Sequence, residues 1–170
     1  MDLYIIQALG ITAFAVNMVG FSTSRDQLLR SLIFLSASLF CIHYVLLGAY
    51  VAGLSLALSG LRSLISLKYK GNRWFFGFAI VQTLMSLAIY DSPFDLLPWS
   101  ASLLNGYAMF CLSGIRMRVV MLVGAALWCS NAVIVGSWGG AINDLTNGTL
   151  LLVTIYRMKT ATNKEVLNQA

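Results

Sequence analysis

Apolar residues run through this chain in seven stretches, at about 3–21, 28–48, 50–68, 74–90, 95–114, 118–137 and 139–158. Polar residues collect in the short connections between them: Ser24-Arg25-Asp26-Gln27, Lys70-Gly71-Asn72-Arg73, Asp91-Ser92-Pro93 and Gly114-Ile115-Arg116. At 1.5 Å rise per residue, helices of roughly 20 residues match a hydrocarbon core about 30 Å thick. Two turns, near Gly48-Ala49-Tyr50 and Gly136-Ser137-Trp138, are so lean that hydropathy alone would fuse their flanking helices. A fused helix would be far longer than a bilayer needs, so the pattern predicts a break at each. The first stretch follows Asp2 with no basic residues before it, which predicts a span and not a removable signal.

Composition supports a membrane protein. Of the 170 residues 59% are hydrophobic and 10% charged, and the mean hydropathy is +0.81. A soluble domain carries about a quarter charged residues, because its surface must face water. The expected fold is therefore an all-α polytopic membrane protein of seven transmembrane helices. A net charge of +5 could point to nucleic acid, but the basic residues sit at helix ends, so no nucleic-acid partner is expected. Cys41, Cys111 and Cys129 lie inside apolar runs without a CxxC, and read as small buried apolar residues with no metal or cofactor implied.

The basic residues also predict orientation. Arg25 and Arg30 fall between spans 1 and 2, and Lys68, Lys70 and Arg73 between 3 and 4. Arg116 and Arg118 fall between 5 and 6, while Arg157, Lys159 and Lys164 follow span 7. The opposite side has Asp2, Asp91 and Asp95 instead. Under the positive-inside rule the N-terminus is outside and the C-terminus cytoplasmic.

The chain also matches itself. Asn17 falls on Asn105 (105 − 17 = 88), and the same offset brings Arg30 onto Arg118, Cys41 onto Cys129 and Gly48 onto Gly136. It also brings Gly60 onto Gly148, Tyr50 onto Trp138 and His43 onto Asn131. Spans 1–3 then duplicate spans 5–7, with span 4 as a linker. A shift of four spans preserves direction, so the repeats are parallel. The predicted organisation is a triple-helix bundle over 1–70, a linker helix over 71–92, a second bundle over 93–160 and a cytoplasmic tail over 161–170.

This 3-1-3 plan with an outside N-terminus resembles that of the SWEET sugar transporters and PnuC-type vitamin transporters. The string from His43 to Lys68 (HYVLLGAYVAGLSLALSGLRSLISLK), the Asp95-Leu96-Leu97-Pro98 start of span 5, and Trp128 to Met158 resemble the bacterial inner-membrane family YgjV. The resemblance implies a multi-pass protein of the bacterial inner membrane with a transport pore between two triple-helix bundles. SWEET transporters hold sugar with Asn residues on their third and seventh spans, a position that Asn147 matches and Ser59 matches only loosely. Trp128 resembles their aromatic platform, with Phe40 its repeat mate. Only Pro93 and Pro98 are present, and Gly10 stands opposite Pro98 in the repeat, so a bend in span 1 rests on glycine.

Polar side chains in hydrocarbon are costly unless they face a protein interior. Ser55, Ser59 and Arg62 share one face of span 3, and Asn143, Asp144 and Asn147 lie on span 7, Asn143 matching Ser55 and Asn147 matching Ser59. Ser55, Gly60 and Gly148 read first as close-packing residues. Asn17 and Asn105 read equally as interhelical hydrogen bonds or solute contacts. His43 reads as an interior histidine that also offers a proton site. Arg62 reads as a snorkelling side chain or an anion contact. Asp144 lies about 9 Å from the outer surface by helical rise, and is read either as a structural pair with Arg62 or as a coupling site. Trp74, Trp99, Trp138, Tyr50 and Tyr156 read as interfacial belt residues.

The resulting expectation is a facilitator or secondary transporter of a small polar, neutral solute such as a sugar, nucleoside or vitamin. Alternating access would rock the two bundles about a site on spans 2, 3, 6 and 7, where Asn147, Asn131, Trp128, His43 and Ser59 contact solute. The alternative is a non-transporting receptor or a structural or partner subunit on the same scaffold. An enzyme is not expected, since HExxH, GxSxG and a nucleophile with a base at helical spacing are absent, and without a P-loop no direct ATP drive is expected. The expected partners are a small-molecule solute and the lipid bilayer, with a homo-oligomer left open.

Overall fold

The computed structural model describes residues 3–46, 50–88, 92–135 and 138–169, and holds seven α-helices among them. They are α1 (Leu3–Ser22), α2 (Asp26–Leu46), α3 (Tyr50–Lys68), α4 (Asn72–Ala88), α5 (Leu96–Cys111), α6 (Gly114–Val135) and α7 (Trp138–Gln169). A 3₁₀ turn, Pro93–Asp95, leads into α5. Asp2, Gly48, Asp91 and Gly136 lie outside the described residues, as do the side chains of Tyr50, Ser55, Trp138 and Lys164.

Each predicted apolar stretch is a helix, but several boundaries move. The helix α2 begins at Asp26, whose carboxylate suits the positive end of the helix dipole. The Gly114-Ile115-Arg116 segment, expected as a loop, is the first turn of α6, because Gly114 takes a φ of +60° and turns the chain at once. Gly71, at φ +106°, does the same ahead of α4. The last helix runs past the predicted end of span 7 to Gln169. The segment Lys159–Gln169 contains neither Gly nor Pro, so nothing local breaks the helix when hydrophobicity falls.

Ahead of α5, Ser92 and Asp95 form a reciprocal cap, in which the Ser92 amide donates to Asp95 Oδ2 at 2.8 Å. Pro98 lies in the first turn of α5, where its missing N–H costs nothing, and α1 runs unbroken through Gly10. The interiors of the described helices therefore contain no proline.

The chain divides into two compact units, Met1–Tyr69 and Lys70–Ala170. In the first, α2 packs against both α1 and α3. Gly60 of α3 makes room for Ala37 and Phe34 of α2. In the second, α6 packs against both α5 and α7, and α4 packs along α5. The α4–α5 pair is held by the Trp99 indole N–H donating to Thr83 at 3.2 Å and the Gly71 amide donating to the Phe110 carbonyl at 2.9 Å. Phe75 meets Tyr107 and Phe78 meets Phe110 along the same face. Trp99 thus bonds to a neighbouring helix, whereas Trp74 and Tyr156 are exposed.

Several polar residues are buried, and many large apolar residues face outward. Arg30, Arg118, Ser63, Ser66 and Thr154 are buried, while Ile11, Phe76, Ile80, Leu84, Leu87, Leu145 and Leu152 are exposed. Exposed apolar surface on this scale needs an apolar surrounding. Among the described residues one helix is by itself long and apolar enough to cross a membrane, Tyr4–Ser22, with mean hydropathy 1.6. The helices α4 and α5 are shorter, at 17 and 16 residues.

Burial recurs at the interval of the sequence match. Ala13, Leu29, Arg30, Ile33, Ala37, Ser63 and Ser66 are buried in the first unit, and so are Ala101, Met117, Arg118, Met121, Ala125, Leu151 and Thr154 in the second, each 88 residues later.

Candidate functional site

The polar residues singled out from sequence fall into two seams, one within each unit. On α2, Ser36, Phe40 and His43 are spaced i, i+4, i+7 and share one helical face. His43 is half-buried, and its Nδ1 lies 2.8 Å from the carbonyl oxygen of Ile6 on α1. A carbonyl only accepts, so Nδ1 carries the proton in this arrangement. The His43 ring occupies the space beside Gly10, where an added Cβ would stand 2.9 Å from His43 Cε1. Gly10 is therefore a notch that admits the histidine. Two turns along α1, Asn17 Oδ1 accepts from Ser36 Oγ at 3.4 Å, and the same hydroxyl also reaches the Ile33 carbonyl at 3.1 Å. One hydroxyl proton serves both acceptors.

The second unit repeats this arrangement in altered chemistry. Gly124, Trp128 and Asn131 share one face of α6 at the same spacing. Asn105 of α5 lays its carboxamide across Gly124, where an added Cβ would stand 2.5 Å from Asn105 Oδ1. That oxygen is buried and has no hydrogen-bond partner. Trp128 and Asn131 are half-buried.

The remaining candidates lie on α3 and α7. Arg62 donates from Nη2 to Ser59 Oγ at 3.3 Å, one turn earlier on its own helix. On α7, Asn147 is buried, at 7% exposed, while Asp144 is half-buried and its Oδ1 accepts from Asn143 Nδ2 at 3.3 Å. Gly148 packs against Leu122 of α6. The exposed face of α7 is apolar, formed by Ile142, Leu145, Leu152 and Tyr156. Arg62 and Asp144 belong to different units, and each has a polar partner on its own helix.

Sequence reasoning missed three structural residues. Ser36 is the α2 partner of Asn17, Gly124 is the surface on which Asn105 rests, and Ser63 donates to the Arg30 carbonyl at 2.9 Å. Ser36 and Gly124 are themselves 88 residues apart. A search for small residues at the repeat interval would have found both.

Comparison with known proteins agrees with the apolar surface. The chain is similar to the inner membrane protein YgjV of Escherichia coli (strain K12), 29% identical over 161 residues that cover 92% of this chain and 87% of that protein. No solved structure matches. Residues 4–162, nearly the whole chain, match the Imp-YgjV family, described as bacterial inner membrane protein, and the chain belongs to that family of the bacterial inner membrane.

Proposed function

We propose that this protein carries a small polar, uncharged solute, of the sugar, nucleoside or vitamin class, across the inner membrane as a facilitator or secondary transporter. The observation that carries this reading is the recurrence of one burial pattern, buried arginine included, 88 residues apart in α1–α3 and α5–α7. On this reading the chain is a duplicated bundle with α4 as the linker, all seven helices cross the bilayer, and the C-terminus is cytoplasmic. Duplicated bundles with polar residues at mid-helix are the architecture on which solute sites are built in membrane transporters. Among the candidates, Trp128 and Asn131 are half-buried on one face of α6, and Ser59 is half-buried on α3. Trp128 and Asn131 suit a neutral ligand that stacks on a ring and accepts or donates hydrogen bonds. Asn147 is the α7 contact.

A second reading has specific support. His43, Asn17 and Asn105 each lie at a helix–helix contact within their own unit. If every polar residue serves packing, the protein is a non-transporting receptor or partner subunit on the same scaffold.

A thermal-shift screen of the detergent-purified protein against sugars, nucleosides and vitamins separates the two. A ligand at a hundred times its Kd stabilises the folded state by about 2.7 kcal/mol. The transport reading expects a saturable shift that Trp128→Ala and Asn131→Ala remove, followed by uptake of that solute into proteoliposomes. A solute that binds without uptake would favour the receptor.

A further inference from the structure

The two seams differ at one level. In the first unit, Ser36 reaches Asn17 and joins α2 to α1. At the matching level of the second unit, glycine replaces the serine, and the buried Asn105 Oδ1 has no hydrogen-bond partner. A buried acceptor without a donor destabilises the contact that hides it. The α5–α6 contact therefore lacks a bond that its counterpart has, and it hides an oxygen that would be hydrated if the helices parted.

The flanking contacts show which pieces would part. The helix α5 is tied to α4 along its length: Trp99 bonds to Thr83, the Gly71 amide to the Phe110 carbonyl, and Cys111 Sγ lies 3.3 Å from Asn72 Oδ1. On the other side, α6 is packed on α7 through Leu122 against Gly148 and Cys129 beside the Ala141 carbonyl. Only Leu112 and Ser113 separate α5 from α6, and Gly114 follows at φ +60°. Glycine at positive φ is a backbone position that absorbs a change of direction at little cost.

We propose that the α5–α6 seam is a conformational joint within the second unit, at which α4 and α5 move as one piece relative to α6 and α7. The first unit has no equivalent joint at its α1–α2 seam. The glycine at 124 is the device that makes this seam weaker, and serine there would close it. An added Cβ at 124 would stand 2.5 Å from Asn105 Oδ1, so a serine there requires the Asn105 carboxamide to swing aside, to a place like that of Asn17 beside Ser36.

The test is hydrogen–deuterium exchange with mass spectrometry on the full-length protein in lipid nanodiscs, without any solute. Peptides from α5 are expected to exchange severalfold faster than the matching peptides of α1, with α4 following α5. Gly124→Ser should slow exchange in α5 by roughly threefold to tenfold, the range set by one hydrogen bond between membrane helices. Ser36→Gly should speed exchange in α1 by a similar factor. If Gly124→Ser does not fold, Asn105→Leu serves, since it replaces the lone oxygen with apolar volume and should also slow α5. Equal protection of α1 and α5 in the unmodified protein would overturn the proposal. So would unchanged α5 exchange in whichever of Gly124→Ser and Asn105→Leu folds. Because no solute is used, either result leaves the transport reading to its own screen.

Discussion

The Arg30 guanidinium donates from Nη1 to the carbonyl oxygen of Ser66 at 2.9 Å, and the Ser63 hydroxyl returns a bond to the Arg30 carbonyl at 2.9 Å. Ser66 lies in the last turn of α3, where the following carbonyls have no N–H four residues on. Arg30 caps that end from the neighbouring helix. The matching arginine, Arg118, donates to the Gly114 carbonyl at 3.0 Å, within its own first turn. Thr154, which matches Ser66, lies inside α7 far from its end, so its carbonyl is already committed to the helix ladder.

Arg30→Met should destabilise the protein by about 1.5–3 kcal/mol, the range for a hydrogen bond to a charged group with its partner left unsatisfied. Arg30→Lys should recover only part of this, because a lysine cannot reproduce the planar guanidinium fork. Reversible unfolding in mixed micelles measures both, and a lysine variant as stable as the parent would remove the capping role.

Gly10→Ala should cost roughly 1–3 kcal/mol by overpacking, since the new Cβ would meet the His43 ring. In a His43→Ala background the same change should cost much less. The double-mutant cycle reads the coupling directly. Additive effects would mean that the glycine is needed for something other than the histidine.

Asp144→Asn should leave the yield of folded protein unchanged, because an amide oxygen still accepts from Asn143. If Asp144 couples transport to protons, uptake in this variant loses its dependence on pH while solute binding persists. Asn147→Ala should abolish uptake and leave membrane insertion intact. Normal uptake in that variant would take Asn147 out of the solute path.

A C-terminal fusion to green fluorescent protein should fluoresce, and one to alkaline phosphatase should be inactive, because the distribution of Lys and Arg predicts a cytoplasmic C-terminus. The reverse pattern would invert every assignment of sides made from the charges.

The helices were legible in the sequence because a helix in an apolar solvent must satisfy its own backbone and must be long enough to cross. Each of the seven apolar stretches became a helix for that local reason. The helix ends were less legible. Hydropathy marks where the apolar run stops, whereas Gly71, Gly114 and the Ser92–Asp95 cap mark where the backbone turns. The candidate site was legible as a set of residue types, since any polar side chain in such a chain stands out. What each one does was not.

The sequence by itself determined the number and order of the helices, the membrane setting and the 88-residue recurrence, because all of these are carried by composition and spacing along one chain. The tertiary structure decided which polar residues are held in packing: His43 against Gly10, Asn17 with Ser36, Asn105 across Gly124, and Arg30 on Ser66. Those pairings depend on the register between antiparallel neighbours. A shift of one residue rotates a helical side chain by about 100°, so partners across a helix pair are set only when the two helices are packed.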